Sequence, residues 1–226
     1  MIQPSNQDTA AGIFLSLAYV RASNPEAIVV LFPSDHFINP EGRFRRGIHA
    51  AAFTVQRFPN MVLLVGVNPD GPESDYGWIF PGSSLGITHG HCIHSVKKFV
   101  EKPVADEVQD ALEQGAQWNT LICVAQVETL WKLGTQCFPD MMGLFERMQR
   151  AINTPLEMSV LDSFYHKMTP KNFSTNLLQK HPERLGLLEL AGITWSDWGR
   201  PERVVHTLRR LGKSLTVPDR KSGGTI

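Results

Sequence analysis

Residues 27–36 read Ala-Ile-Val-Val-Leu-Phe-Pro-Ser-Asp-His. The first six are apolar without alternation, and Ile28, Val29 and Val30 are β-branched. Such a short continuous run marks a strand covered on both faces, as in a sheet with helices on either side. Pro33 stops it, and Ser34-Asp35-His36 open a loop at its carboxyl end. Upstream, Ala10, Ile13, Leu17 and Val20 recur at helical spacing, which predicts a helix over 8–22 that ends at Asn24-Pro25. Downstream, Phe44, Ile48, Ala52 and Val55 share one face of a helix over 41–57, and 61–67 is a second buried strand. Residues 27–67 therefore read strand, helix, strand, a βαβ unit.

Farther along the pattern changes. Segments 76–80 and 94–101 alternate around a Gly-rich turn region, 82–90, as an antiparallel ribbon does. A helix over 104–114 stops at Gly115, and 118–124 is another strand. Residues 127–167 are mostly helical, with Phe138, Met141, Phe145, Met148 and Ile152 as a core stripe. Strands return at 185–190 and 193–195. Pro201 opens a last helix at a position where its missing N–H costs nothing, with Val204, Val205, Leu208 and Leu211 facing inward. The expected fold is α/β, a mixed, mostly parallel sheet flanked by helices. The domain runs over 1–212 and a polar tail over 213–226.

The 226 residues are 42% hydrophobic, and 22 basic side chains balance 22 acidic ones. That balance speaks against a nucleic-acid or membrane partner that reads bulk charge. Cys92, Cys123 and Cys137 are odd in number and widely spaced, which fits a reducing, cytoplasmic setting without a disulfide framework. The polar start does not resemble a signal peptide. No apolar run approaches the roughly 20 residues that span a bilayer.

Ligands of open α/β sheets bind at the carboxyl ends of strands, and three candidates fall there. Asp35 can hold a cation such as Mg²⁺, or it can cap the following turn. Glu101-Lys102-Pro103 can offer an acceptor for sugar hydroxyls and a cation for a phosphate, or form an exposed ion pair of little consequence. Asp197, in Trp195-Ser196-Asp197-Trp198-Gly199, can serve the site or simply begin a helix. His89, His91, His94 and Cys92 read as polar turn residues, because a structural zinc site needs four ligands in defined spacing.

The order and wording of these segments resemble the sugar-phosphate nucleotidyltransferases, and most of all the mannose-1-phosphate guanylyltransferases. Residues 3–10, Gln-Pro-Ser-Asn-Gln-Asp-Thr-Ala, resemble the family's Q-P-x-N-x-G-T-A. Residues 33–36 match its P-S-D-H. Gly66-Val67-Asn68-Pro69 followed by residues 72–79, Pro-Glu-Ser-Asp-Tyr-Gly-Trp-Ile, resemble G-x-x-P and P-E-T-x-Y-G-Y-I. Residues 99–103 match F-x-E-K-P, Trp118-Asn119 resembles W-N-S-G, and residues 195–199 resemble W-x-D-x-G. Several short motifs in the right order over residues 2–212 are far more specific than any one.

The resemblance implies a nucleotide-diphospho-sugar transferase-like, Rossmann-like fold. It implies transfer of GMP from GTP to mannose 1-phosphate, with release of pyrophosphate. Asp35 and Asp197 would hold Mg²⁺ and Lys102 would contact the sugar phosphate. Glu101, Asn119, Tyr76 and Gly77 would line the sugar pocket, and Gln3 and Pro4 would lie near the nucleobase. Two departures stand out. Asp8 takes the place of the family's Gly in G-T-A, and these residues contain no G-x-G-x-R phosphate-binding loop, so the domain reads as N-terminally incomplete. The chain alone is therefore expected to be inactive, either as one piece of an enzyme or as a non-catalytic sugar-nucleotide-binding or regulatory subunit. A homo-oligomer or a catalytic partner chain would then complete it.

Overall fold

The computed structural model describes residues 3–213. Apart from Lys213, the polar tail lies outside the described residues. Helices α1 (Asp8–Ser23), α2 (Glu41–Arg57), α3 (Ala105–Glu113), α4 (Val127–Cys137), α5 (Pro139–Gln149), α6 (Glu157–Tyr165) and α7 (Pro201–Arg210) flank the strands. These are β1 (Ile28–Leu31), β2 (His36–Asn39), β3 (Val62–Val67), β4 (Gly77–Thr88), β5 (His91–Glu101), β6 (Gln117–Gln126), β7 (Leu185–Glu189) and β8 (Thr194–Asp197). The main sheet runs β1-β6-β3-β7-β5-β4, and β2 pairs with β8 in a separate ribbon.

The helical stretches follow their apolar periodicity. One face of the sheet is covered by α1 and α4–α6, where Phe14, Trp131, Phe138, Phe145 and Tyr165 meet Leu64, Ile79 and Leu187. Phe14 stands edge-on to Trp131 and Phe138, with ring centroids 6.5 and 5.9 Å apart. Each such pair adds about 0.5–1.5 kcal/mol beyond area burial. On the other face Ala50, Ala51 and Val55 of α2 and Val108 and Ala111 of α3 pack on Val65, Trp78 and Val124. The result is helices, sheet, helices, the layering expected of an α/β chain.

The sheet is mixed, but its parallel share is smaller than the continuous apolar runs suggest. The pairing of β3 with β7 is parallel, and the others are antiparallel. The βαβ segment is also opened out, because β6 inserts between β1 and β3 and runs antiparallel to both. Consequently β1 is an edge strand, and its four residues are half-buried rather than covered on both faces.

At three places the local structure differs from what the sequence pattern predicts, each for a physical reason. The Gly-rich 82–90 region is mostly strand, interrupted by register shifts, and the turn narrows to His89 and Gly90, both at positive φ. Strand β2 is not visible in the sequence, because its burial comes from pairing with β8. In α7 the valines and Leu208 are half-buried, and the fully buried residue is Thr207, whose hydroxyl bonds the Arg203 carbonyl at 2.8 Å and lies 3.4 Å from Trp198 Nε1.

Candidate functional site

The start of β4, the end of β5 and the start of β6 meet at one place. Gly77 pairs with Glu101, and Trp78 pairs with both Val100 and Trp118. Asn119 follows Trp118 and is 7% exposed. A methyl group at position 77 would stand 2.7 Å from Glu101 Oε2, 3.0 Å from Phe99 Cζ and 3.3 Å from Asn119 Cβ. The missing side chain at Gly77 thus leaves the space into which the Glu101 carboxylate points. Burial raises the Glu101 carboxyl above its ordinary range, against the opposing pull of Lys102 and of a hydrogen bond to Ser174. Its backbone N–H donates to Gln179 Oε1 at 3.0 Å. A polar group of this kind, held partly desolvated beside a glycine gap, is suited to meeting a ligand's hydroxyls.

Lys102 follows with an exposed side chain and φ +49°, its N–H donating to the Tyr76 carbonyl at 3.3 Å. The left-handed residue turns the chain at the strand end. Tyr76 links this group to Asp197, since its hydroxyl donates to Asp197 Oδ1 at 2.6 Å. That bond and burial push the Tyr76 phenol well above its usual range, burial being the larger cause. The Tyr76 ring packs edge-on against Trp118 and Trp195, each 5.0 Å away. These rings border a cavity of about 430 Å³ that also touches Arg203, His206 and Arg209 of α7.

Asp197 stands directly opposite His36 in the β2–β8 ribbon, and the Trp198 N–H donates to the Asp35 carbonyl at 3.0 Å. Both carboxylates act on His36, whose imidazole is lowered by burial despite their opposing effect. Trp195 Nε1 donates to His36 Nδ1 at 3.2 Å. So Lys102, Tyr76, Asp197, His36 and Asp35 are linked one to the next.

The two aspartates differ in availability. The Asp35 side chain is 62% exposed. The Asp197 carboxylate receives Arg203 Nη1 on both oxygens, at 2.7 and 2.6 Å, besides the Tyr76 hydroxyl. Arg203 Nη2 reaches Glu73 Oε2 at 3.1 Å and Asp75 Oδ2 at 3.0 Å, and its guanidinium lies 4.5 Å from the Tyr76 ring centroid. A Mg²⁺ ion wants carboxylate oxygens free to enter its octahedron. Asp35 meets that requirement, and Asp197 in this arrangement does not. Among the described residues no group of three or more His, Cys, Asp or Glu side chains is arranged to hold a metal. That includes His89, His91, Cys92 and His94; the last lies 3.7 Å from Glu189.

Gln3 lines a different cavity of about 510 Å³, bounded by Thr9, Gly12, Leu31, Phe32 and Leu121. Pro4 beside it is exposed. Asp8 lies at φ +64° and Leu121 at φ +57°. Position 8 corresponds to the Gly of the G-T-A motif, and position 121 to the Gly of W-N-S-G.

Sequence reasoning missed Ser174 and Gln179, which sit on and just after a π-helical turn, Ser174–Leu178. Such turns recur at functional sites, but no residue pattern announces this one. It also missed Arg203 with Glu73 and Asp75. A signal existed there, because Arg203 lies in the first turn of α7, where the helix dipole disfavours a cation.

Residues 1–213 match the family described as nucleotidyl transferase. A mannose-1-phosphate guanylyltransferase of Sinorhizobium fredii is 24% identical over 176 residues, 77% of this chain and 32% of the relative. An Escherichia coli protein of the same name is 23% identical over 216 residues, 94% of this chain and 45% of the relative. The chain thus spans a third to under half the length of these curated relatives. A Thermus thermophilus crystal structure described as a mannose-1-phosphate geranyltransferase superposes with a TM-score of 0.78 at 21% identity, covering 95% of this chain and 58% of that one. At that identity the likeness concerns the fold alone. Among the described residues, no helix is long and apolar enough to cross a membrane.

Proposed function

The chain belongs to the nucleotidyl transferase family, and we propose that it binds a sugar 1-phosphate, or the sugar end of a sugar nucleotide, in the Gly77–Glu101–Asn119 pocket. The reaction it serves is transfer of GMP from GTP to mannose 1-phosphate in the cytoplasm, with release of pyrophosphate. The observation that carries the reading is the gap at Gly77 filled by the Glu101 carboxylate, with Lys102 next along the chain and its charge acting on that carboxyl. Glu101 and Asn119 accept and donate to sugar hydroxyls. Lys102 neutralises the phosphate, and Tyr76 braces the pocket wall. The three cysteines are free thiols. Positioning and charge neutralisation are what phosphoryl chemistry asks of a protein.

A second reading, a subunit that binds sugar nucleotide without catalysis, is favoured by one specific observation. The Asp197 carboxylate is already occupied by Arg203 and Tyr76. Calorimetry with mannose 1-phosphate tests what the two readings share. Wild type binds, and Lys102→Ala weakens binding about tenfold or more, because a charged partner of the phosphate is lost. Equal affinity in both, or no binding heat in wild type, refutes the pocket. Pyrophosphate release from GTP and mannose 1-phosphate then separates enzyme from binding subunit.

A further inference from the structure

Arg203 has no role in the pocket just described, yet it is the most heavily engaged cation among the described residues. One of its nitrogens spans both Asp197 oxygens at 2.7 and 2.6 Å. The other touches Glu73 and Asp75 at 3.1 and 3.0 Å, and its side chain is 15% exposed. Its place in the first turn of α7 runs against the helix dipole, so the carboxylates and not the helix account for it. Three carboxylates converge there: Asp197, Glu73 and Asp75. The cations facing them are Arg203 and, at Asp75, Arg200 at 2.6 Å.

We propose that Arg203 is a positioning residue that takes, at Asp197, the place a divalent cation would occupy, and so closes Asp197 and Tyr76 into one fixed unit. A carboxylate oxygen has about two acceptor sites. Oδ1 already takes the Tyr76 hydroxyl and Arg203, and Oδ2 takes Arg203 at 2.6 Å, so a metal ion could enter only at the one remaining site on Oδ2, against the charge of the guanidinium beside it. With Arg203 present, two cations face three carboxylates. Without it, one cation remains and the local field favours a divalent ion. What Asp197 accepts in this way is independent of substrate binding at Glu101.

Mn²⁺ binding to the full chain, followed by electron paramagnetic resonance with no nucleotide or sugar phosphate present, tests it. In wild type, Asp197→Asn leaves the Mn²⁺ affinity unchanged, because Asp197 is not available. Arg203→Gln raises the affinity about tenfold or more as the uncompensated charge grows. The double variant Arg203→Gln, Asp197→Asn returns to the wild-type value. Arg203→Lys, which keeps a cation on Asp197, stays near wild type, a rescue that a merely structural role for the side chain would not give. If circular dichroism shows Arg203→Gln unfolded, the comparison of wild type with Asp197→Asn decides alone. A fall in affinity on that substitution overturns the proposal, and so does a gain in Arg203→Gln that survives removal of Asp197.

Discussion

Gly77→Ala is the sharpest perturbation of the pocket, because the structure says what the new methyl would meet. Gly77 is buried in β4 and carries no left-handed backbone, so the substitution adds no backbone strain. Replacing Gly by Ala in a strand by itself favours folding by about 0.5–1 kcal/mol, through the unfolded chain. Against that stand contacts at 2.7 Å to Glu101 Oε2, 3.0 Å to Phe99 Cζ and 3.3 Å to Asn119 Cβ. The carboxylate is the far end of a flexible side chain and yields first, swinging out of the gap. The Phe99 ring is 2% exposed and has nowhere to go. Overpacking of this kind costs about 1–3 kcal/mol. The net expectation is a loss of about 1 kcal/mol, or roughly 2–4 °C in Tm for a chain of this size.

Binding suffers more than stability, because the methyl occupies the very space the carboxylate and a ligand hydroxyl share. Urea unfolding with an unchanged m value gives the first quantity, and calorimetry with mannose 1-phosphate gives the second. A Gly77→Ala protein that is as stable as wild type and binds equally well would refute the view that this gap is the pocket.

Other expectations follow from the same geometry. The Glu101 carboxyl is raised in the folded chain by burial, so its contribution favours the folded state at pH values below its unfolded pKa and is lost as pH rises through the folded one. Glu101→Gln therefore stabilises the chain at neutral pH more than at pH 4 in denaturant titrations, while weakening sugar-phosphate binding; a destabilisation that grows with pH would contradict the sign. At position 121 the usual order of substitutions inverts. Leu121 is at φ +57°, which costs a non-glycine residue about 1–2 kcal/mol, so Leu121→Gly is less destabilising than Leu121→Ala, which loses the packing and keeps the strain. Tyr76→Phe removes the hydroxyl that donates to Asp197 at 2.6 Å and should cost about 1.5–3 kcal/mol in chemical unfolding; a neutral effect would mean that the bond is not made in solution.

What the sequence made legible depended on how local the cause was. Helices α1, α2 and α3 and strands β3 and β6 follow from apolar periodicity and from breakers such as Gly115, which lies at φ +68°. The burial of β1 did not follow, because an apolar strand reads alike at the centre and at the edge of a sheet. Which it becomes is set by β6, some ninety positions later. Gly77, Glu101, Lys102 and Asn119, the residues of the proposed pocket, stand out in the sequence by motif, and the register of β4 with β5 and β6 brings these strand ends side by side. Ser174, Gln179 and Arg203 reach the same region across long sequence separations, and no local rule connects them to it.

At two positions this chain departs from the glycine of the family motifs, Asp8 and Leu121. A motif glycine usually signals a backbone that only glycine adopts readily. Asp8 and Leu121 keep that backbone, at φ +64° and +57°, without the glycine. At Asp8 the side chain offsets part of the strain, with Oδ1 accepting from the Thr9 N–H at 2.6 Å and lying 3.3 Å from Asn172 Nδ2. Leu121 has no such polar compensation, although the Asn119 Oδ1 accepts from its N–H at 3.2 Å. The backbone shapes at Asp8, the first residue of α1, and at Leu121, inside β6, are therefore dictated by the surrounding fold rather than by the residues that occupy them. A side chain, and at position 8 a negative charge, now stands where the family motif has a hydrogen atom. At position 77, by contrast, the motif glycine is intact, and the place of its missing side chain is taken by the Glu101 carboxylate.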